Sequence, residues 1–111
     1  MIKVEWTGVS PTLCMGNWHI FIDGVDYSDK IPEKLRREPM KTYGKYSKWH
    51  FDSSTPYEVW ETYKDGLNEE DWIEENNYWL STITNDYNIK REIYRAIQEQ
   101  DWRFNSCGGC I

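Results

Sequence analysis

The most distinctive chemical group in this 111-residue chain is Cys107-Gly108-Gly109-Cys110, accompanied by one more cysteine, Cys14. Two thiols separated by two glycines can converge on one ion, because glycine accepts positive φ and lets backbone N–H groups approach the sulfurs. This spacing supplies half of a tetrahedral zinc site. The remaining ligands must come from Cys14 and one of the two histidines, His19 and His50. The preferred set is Cys14, His50, Cys107 and Cys110. Its zinc would be structural, since four protein ligands leave no position for water or substrate. Two other states stay open for the same thiols: a disulfide or redox pair, and reduced cysteines that hold nothing. A reactive thiolate is usually stabilised by a helix amino terminus, and only Ile111 follows Cys110, so redox work loses that support. A prenylation box needs cysteine fourth from the end, where Gly108 stands, so no prenyl anchor is expected.

The second group is acidic. The chain has 19 acids against 13 bases, a net charge of −6, and the distribution is uneven. Residues 53–86 carry nine acids against Lys64, whereas residues 29–48 carry seven bases and three acids. Such a molecule is dipolar. Its acidic total disfavours direct nucleic-acid binding, which draws on Lys and Arg releasing counterions from phosphates. It favours solubility and a protein partner with a basic surface, for which Glu58, Glu61, Glu69, Glu70, Glu74 and Glu75 are the candidate contacts. A solvated helix face accounts for the same residues.

Other constellations carry less. Asp23-Gly24-Val25-Asp26 places two carboxylates near a turn, but Asp-Gly is a preferred hairpin turn in its own right. The serines occupy no G-x-S-x-G frame, neither histidine has a nucleophile beside it in a recognisable pattern, and no phosphate-binding glycine loop occurs. A noncatalytic protein is therefore expected, with a small metal-stabilised structural or adaptor protein and a thiol-dependent enzyme as the alternatives. Tyr43, Tyr46, Trp49, Trp60 and Tyr63 offer an alternative aromatic contact surface.

The elements that must position these groups follow from patterning. Ile2 to Val9 and Trp18 to Ile22 alternate and are rich in β-branched and aromatic residues, which predicts two strands, the second closed by the Asp23-Gly24 turn into a short return at Val25–Tyr27. Ser28 to Thr42, with Pro32 and Pro39, reads as a mobile surface connection with one helical turn near Glu33–Arg37. Tyr43 to Phe51 suits a strand with an irregular start at Gly44. Thr55-Pro56-Tyr57-Glu58 has the cap, proline and acid of a helix start, which predicts a short helix to Asp65-Gly66, while alternation at Tyr57, Val59, Glu61 and Tyr63 keeps a strand possible. Asn68 caps the clearest helix, with Trp72, Asn76, Trp79, Leu80 and Ile83 as its stripe. A second runs from about Asp86 to Gln100, with Ile89, Ile93, Ala96 and Ile97 inward.

The fold class is thus α+β: one domain over residues 1–111, in which a small antiparallel sheet from the amino-terminal half (about 2–51) packs on a helical part (about 55–102) and a cysteine-containing tail (103–111) follows. Sixteen per cent aromatic residues supply a core despite a mean hydropathy of −0.85. No apolar run approaches the roughly 18–20 residues that span a bilayer, and the amino terminus lacks a basic-then-apolar signal, so a cytoplasmic protein with no membrane partner is expected.

Leu13-Cys14-Met15-Gly16-Asn17-Trp18-His19-Ile20, Ile22-Asp23-Gly24-Val25-Asp26-Tyr27-Ser28, Tyr63-Lys64-Asp65-Gly66-Leu67 and Asp101-Trp102-Arg103 with Ser106-Cys107-Gly108-Gly109-Cys110-Ile111 resemble small proteins of bacteriophages and mobile elements of Gram-positive bacteria. The resemblance implies an inhibitor of a host defence complex, such as an anti-CRISPR protein acting on a nuclease in the bacterial cytoplasm. It implies no catalytic residues.

Overall fold

The computed structural model describes residues 1–9, 15–50, 57–62 and 66–101, with 45–50 and 57–62 described by their backbone. Five strands and two helices follow in order: β1 Ile2–Trp6, β2 Trp18–Ile22, β3 Val25–Asp26, β4 Lys45–His50, β5 Tyr57–Thr62, α1 Glu69–Leu80 and α2 Tyr87–Gln100. Single 3₁₀ turns occupy Ser28–Lys30 and Leu35–Arg37.

Strands β1, β2 and β3 form an antiparallel sheet in that order, with Ile2 opposite Ile22, Val4 opposite Ile20 and Trp6 opposite Trp18. Because side chains alternate, these pairs line one face, while Lys3, Glu5, His19 and Phe21 line the other. The inner face packs on the helices. The β2–β3 connection is the expected Asp-Gly turn: Asp23 and Gly24 have φ of 50° and 82°, the left-handed pair that a two-residue hairpin requires. At the opposite end of the sheet the chain passes very close to itself. A Cβ on Gly16 would stand 2.2 Å from the Gly8 nitrogen, so only glycine fits there.

Both helices start as the sequence predicts. The Asn68 side chain accepts a hydrogen bond from the Asp71 amide at 3.0 Å, and the Asp86 side chain accepts one from the Asn88 amide at 2.9 Å. Helix α1 buries Trp72, Ile73, Asn76, Trp79 and Leu80; helix α2 buries Lys90, Ile93, Tyr94 and Ile97. With Val4, Trp6, Trp18 and Ile20 from the sheet and Ile31 and Met40 from the connecting segment, these side chains form one core. Its aromatics meet edge-on or tilted: Trp6–Trp18 at 5.2 Å, Trp72–Tyr94 at 5.5 Å and Trp72–Trp79 at 6.1 Å.

Two expectations are corrected. Segment 28–42 is not a loose surface connection: Ile31, Met40 and Thr42 are buried, and two indoles tie it down, Trp18 Nε1 donating to the Glu38 carbonyl (2.7 Å) and Trp72 Nε1 to the Met40 carbonyl (2.9 Å). A buried indole N–H needs an acceptor, and the irregular backbone here offers carbonyls that no strand uses. The short helix expected from Thr55 is, at 57–62, strand β5, paired antiparallel with β4 from Lys45 opposite Thr62 to His50 opposite Tyr57. Cross-strand pairing overrides the local helix-start signal. Among the described residues this second, two-stranded sheet joins no other strand.

Candidate protein-interaction surface

The acidic residues of α1 divide into two groups. Glu69 is turned inward: its Oε2 accepts from Arg91 Nε at 2.9 Å and its Oε1 from Arg95 Nε at 3.0 Å, and its side chain is 23% exposed. This carboxylate is committed to fastening α1 to α2. Glu70, Asp71, Glu74 and Glu75 lie on the opposite side and are exposed. None of these four makes an ion pair among the described residues.

Their arrangement is unfavourable to the helix itself. Glu70 and Glu74, and likewise Asp71 and Glu75, are like charges four residues apart, each pair costing a few tenths of a kcal/mol. The helix dipole offsets this in the first turn and not beyond it, so Glu74 and Glu75 have no compensation from the backbone. Tyr78, 67% exposed, continues the face. Beside it lies an open cleft of about 280 Å³ between α1 and the 32–41 segment, lined by Leu35, Pro39, Met40, Leu67, Glu75 and Tyr78 among others. Glu58 and Glu61 hold register positions opposite Trp49 and Tyr46 on β5; of the six acidic contact candidates, the helix presents Glu70, Glu74 and Glu75 together.

The polar residues of α2 do different work. Tyr94, Gln98 and Asp101, at i, i+4 and i+7, hold both chains at the root of the β4–β5 ribbon. Tyr94 Oη donates to the Leu67 carbonyl at 2.8 Å and accepts from the Tyr43 amide at 3.1 Å, and the Gln98 amide donates to the Tyr43 carbonyl. The Asp101 carboxylate, 2% exposed, accepts from the Met40 amide (3.3 Å), the Thr42 amide (3.2 Å) and Thr42 Oγ1 (2.8 Å). Between the two chains, Thr42 and Leu67 form a parallel bridge in which the Tyr43 amide donates to the Leu67 carbonyl and the Leu67 amide to the Lys41 carbonyl. Burial pushes the Tyr94 hydroxyl above its ordinary value, against the hydrogen bond from the Tyr43 backbone, and the charges of Glu69 and Asp101 add to the rise. Lys90, 7% exposed, donates to Asn77 Oδ1 at 2.6 Å and Ser81 Oγ at 3.3 Å across the helix pair. Sequence reasoning missed this clamp. Its signal, three hydrogen-bonding side chains on one stripe of α2, was legible; which backbone groups they reach was not.

The proposed zinc ligands fall differently. Cys14, Cys107 and Cys110 lie outside the described residues, as does the His50 side chain, whose backbone stands at the end of β4 farthest from the clamp. From Lys45 to His50 the strand advances roughly 17 Å at about 3.3 Å per residue. The six residues from Asp101 to Cys107 reach about 20 Å when fully extended. A site that joined Cys107 to His50 would therefore require the tail to run along the ribbon. His19 is on the outer face of the first sheet, its ring stacked on Phe21 at 6.4 Å and 15°. Among the described residues no group of three or more His, Cys, Asp and Glu is placed to hold a metal, and no helix is long and apolar enough to cross a membrane.

A family model described as PM0253 matches residues 4–104. An uncharacterized protein of Pasteurella multocida (strain Pm70), itself called PM0253, is 35% identical over 113 residues, covering 96% of this chain and 89% of its own length. No solved structure matches significantly.

Proposed function

The chain belongs to the PM0253 family, and for this member we propose a noncatalytic protein-binding role in which the exposed acidic face of α1 engages a basic groove on another protein. The observation that carries the reading is the contrast within α1. Glu69 is neutralised internally by Arg91 and Arg95, whereas Glu70, Asp71, Glu74 and Glu75 stay exposed, unpaired among the described residues and mutually repulsive. Where a local rule is broken without a local gain, function is the usual reason. A basic partner would convert the repulsion into attraction and would be steered to the face over a distance set by salt. Tyr78, beside the acids, supplies an apolar anchor of the kind that dominates interface energetics. A groove that normally holds nucleic acid, as in a host defence nuclease, has the charge this surface requires, and occluding it would make the protein an inhibitor.

The test is affinity capture from the native host at low salt, comparing the wild-type chain with Glu70→Lys/Glu74→Lys/Glu75→Lys. A partner retained by the wild type, released by about 0.5 M salt and lost with the triple variant supports the reading. Retention of the same partner by the variant overturns it.

A further inference from the structure

We infer that the β4–β5 ribbon is a self-association arm, and that the face carrying Lys45, Ser47, Trp49, Glu58, Trp60 and Thr62 packs against the same face of a second copy of the chain. A two-stranded ribbon is at best marginally stable alone in water and needs a third strand or a packing surface. Among the described residues β4 and β5 pair with each other and with no other strand, and they pack at most slightly on the other described elements. The root is nevertheless held firmly, by Tyr94 and Gln98 on α2 and by Asp101 at its carboxy-terminal cap. Among the described residues, the fold thus anchors the base of the ribbon and covers little of its length.

The register identifies the occupant. Residues directly opposite share a face, as do residues two apart on one strand. From root to tip, one face reads Lys45/Thr62, Ser47/Trp60, Trp49/Glu58; the other reads Tyr46/Glu61, Lys48/Val59, His50/Tyr57. A two-fold axis across the middle of the first face lays the root of one ribbon over the tip of the other. Lys45 of each copy then stands at the level of Trp49 and Glu58 of the other, and Trp60 meets Trp60 at the axis. Charge and apolar character both match under that reversal, which is the condition for an isologous interface. The second face fails the same test, because its central position is Lys48 and the axis would set two lysines together. Area would be adequate as well: tryptophans bury roughly 150–250 Å² each, so two per copy in the interface would supply about half of the roughly 800 Å² per partner of a standard interface. The reversed arrangement also places the two bodies at opposite ends, which suits a chain with a net charge of −6.

Sedimentation of the full chain tests this. The wild type is expected to be a reversible dimer in the micromolar range. Lys45→Glu and Glu58→Lys should each weaken it by about tenfold or more, and the combined charge swap should restore it. An unchanged far-UV circular dichroism spectrum establishes that the variants are folded. A wild type that stays monomeric at about 100 μM, a dimer indifferent to both reversals, or a double variant that fails to recover overturns the proposal. So does a dimer that survives both reversals and disappears on removal of residues 102–111.

Discussion

The two helices carry polar residues in comparable number and use them in opposite ways. Helix α2 spends its polar stripe inside the molecule: Arg91 and Arg95 hold Glu69, Lys90 holds Asn77 and Ser81, and Tyr94, Gln98 and Asp101 hold the ribbon root. Helix α1 directs Glu70, Asp71, Glu74 and Glu75 to solvent with no described ion pair. Charge alone therefore does not mark a functional surface. What separates the two is satisfaction: groups whose partners lie within the fold are structural, and a repulsive set left without partners is the one available to another protein.

That contrast can be broken by mutation, beginning with the clamp. Asp101→Ala removes a buried carboxylate and strands the Met40 and Thr42 amides, so it should lower stability by about 2–4 kcal/mol in urea denaturation. If the loss is within 0.5 kcal/mol or so, the clamp is not what holds segment 40–42. Tyr94→Phe removes one donor and one acceptor and should cost about 1–2 kcal/mol.

The same residue gives a pH signature. The folded Tyr94 hydroxyl titrates above its unfolded value of 10.0, so the folded state holds its proton longer than the unfolded state does. The associated stability is fully present below pH 10 and is lost as pH rises through the folded pKa. Denaturation midpoints of the wild type should fall more steeply above pH 10 than those of Tyr94→Phe; parallel curves would show that burial does not perturb this hydroxyl.

Smaller effects belong to the ion pairs and to the exposed face. Glu69→Gln should cost up to about 1 kcal/mol, and less in high salt, because its partners Arg91 and Arg95 are 40% and 59% exposed at the side chain. Glu74→Gln should leave stability unchanged or raise it by a few tenths of a kcal/mol, by relieving repulsion from Glu70. A clear destabilisation by Glu74→Gln in thermal melts would place that carboxylate with Glu69, inside the structural set.

Local signals carried well where local physics dominates. Asn68 and Asp86 are caps whose chemistry is contained within three residues, and both helices start there. Asp23-Gly24 makes its turn because positive φ at both positions is a local requirement. The stripe Trp72, Asn76, Trp79 and Leu80 is buried as spacing predicts. The failures share one cause. In sequence, Pro56 and Glu58 stand in helix-start positions, and only the pairing of β5 with β4 over 57–62 decides otherwise. Segment 28–42, full of prolines and charges, looked external because nothing nearby in sequence announces the indoles of Trp18 and Trp72 that bind its carbonyls.

The amino-acid sequence by itself determined an α+β chain, its capped helices, its Asp-Gly hairpin and the excess of acids over residues 53–86, since composition, periodicity and turn chemistry act over a few residues. Only the tertiary structure decided that Glu69 is committed while Glu70, Glu74 and Glu75 are presented, and that α2 clamps the root of the ribbon. Those outcomes depend on which groups meet across distances in sequence of 22 to 61 residues, from Glu69–Arg91 to Met40–Asp101, and a side chain's partner is settled by packing.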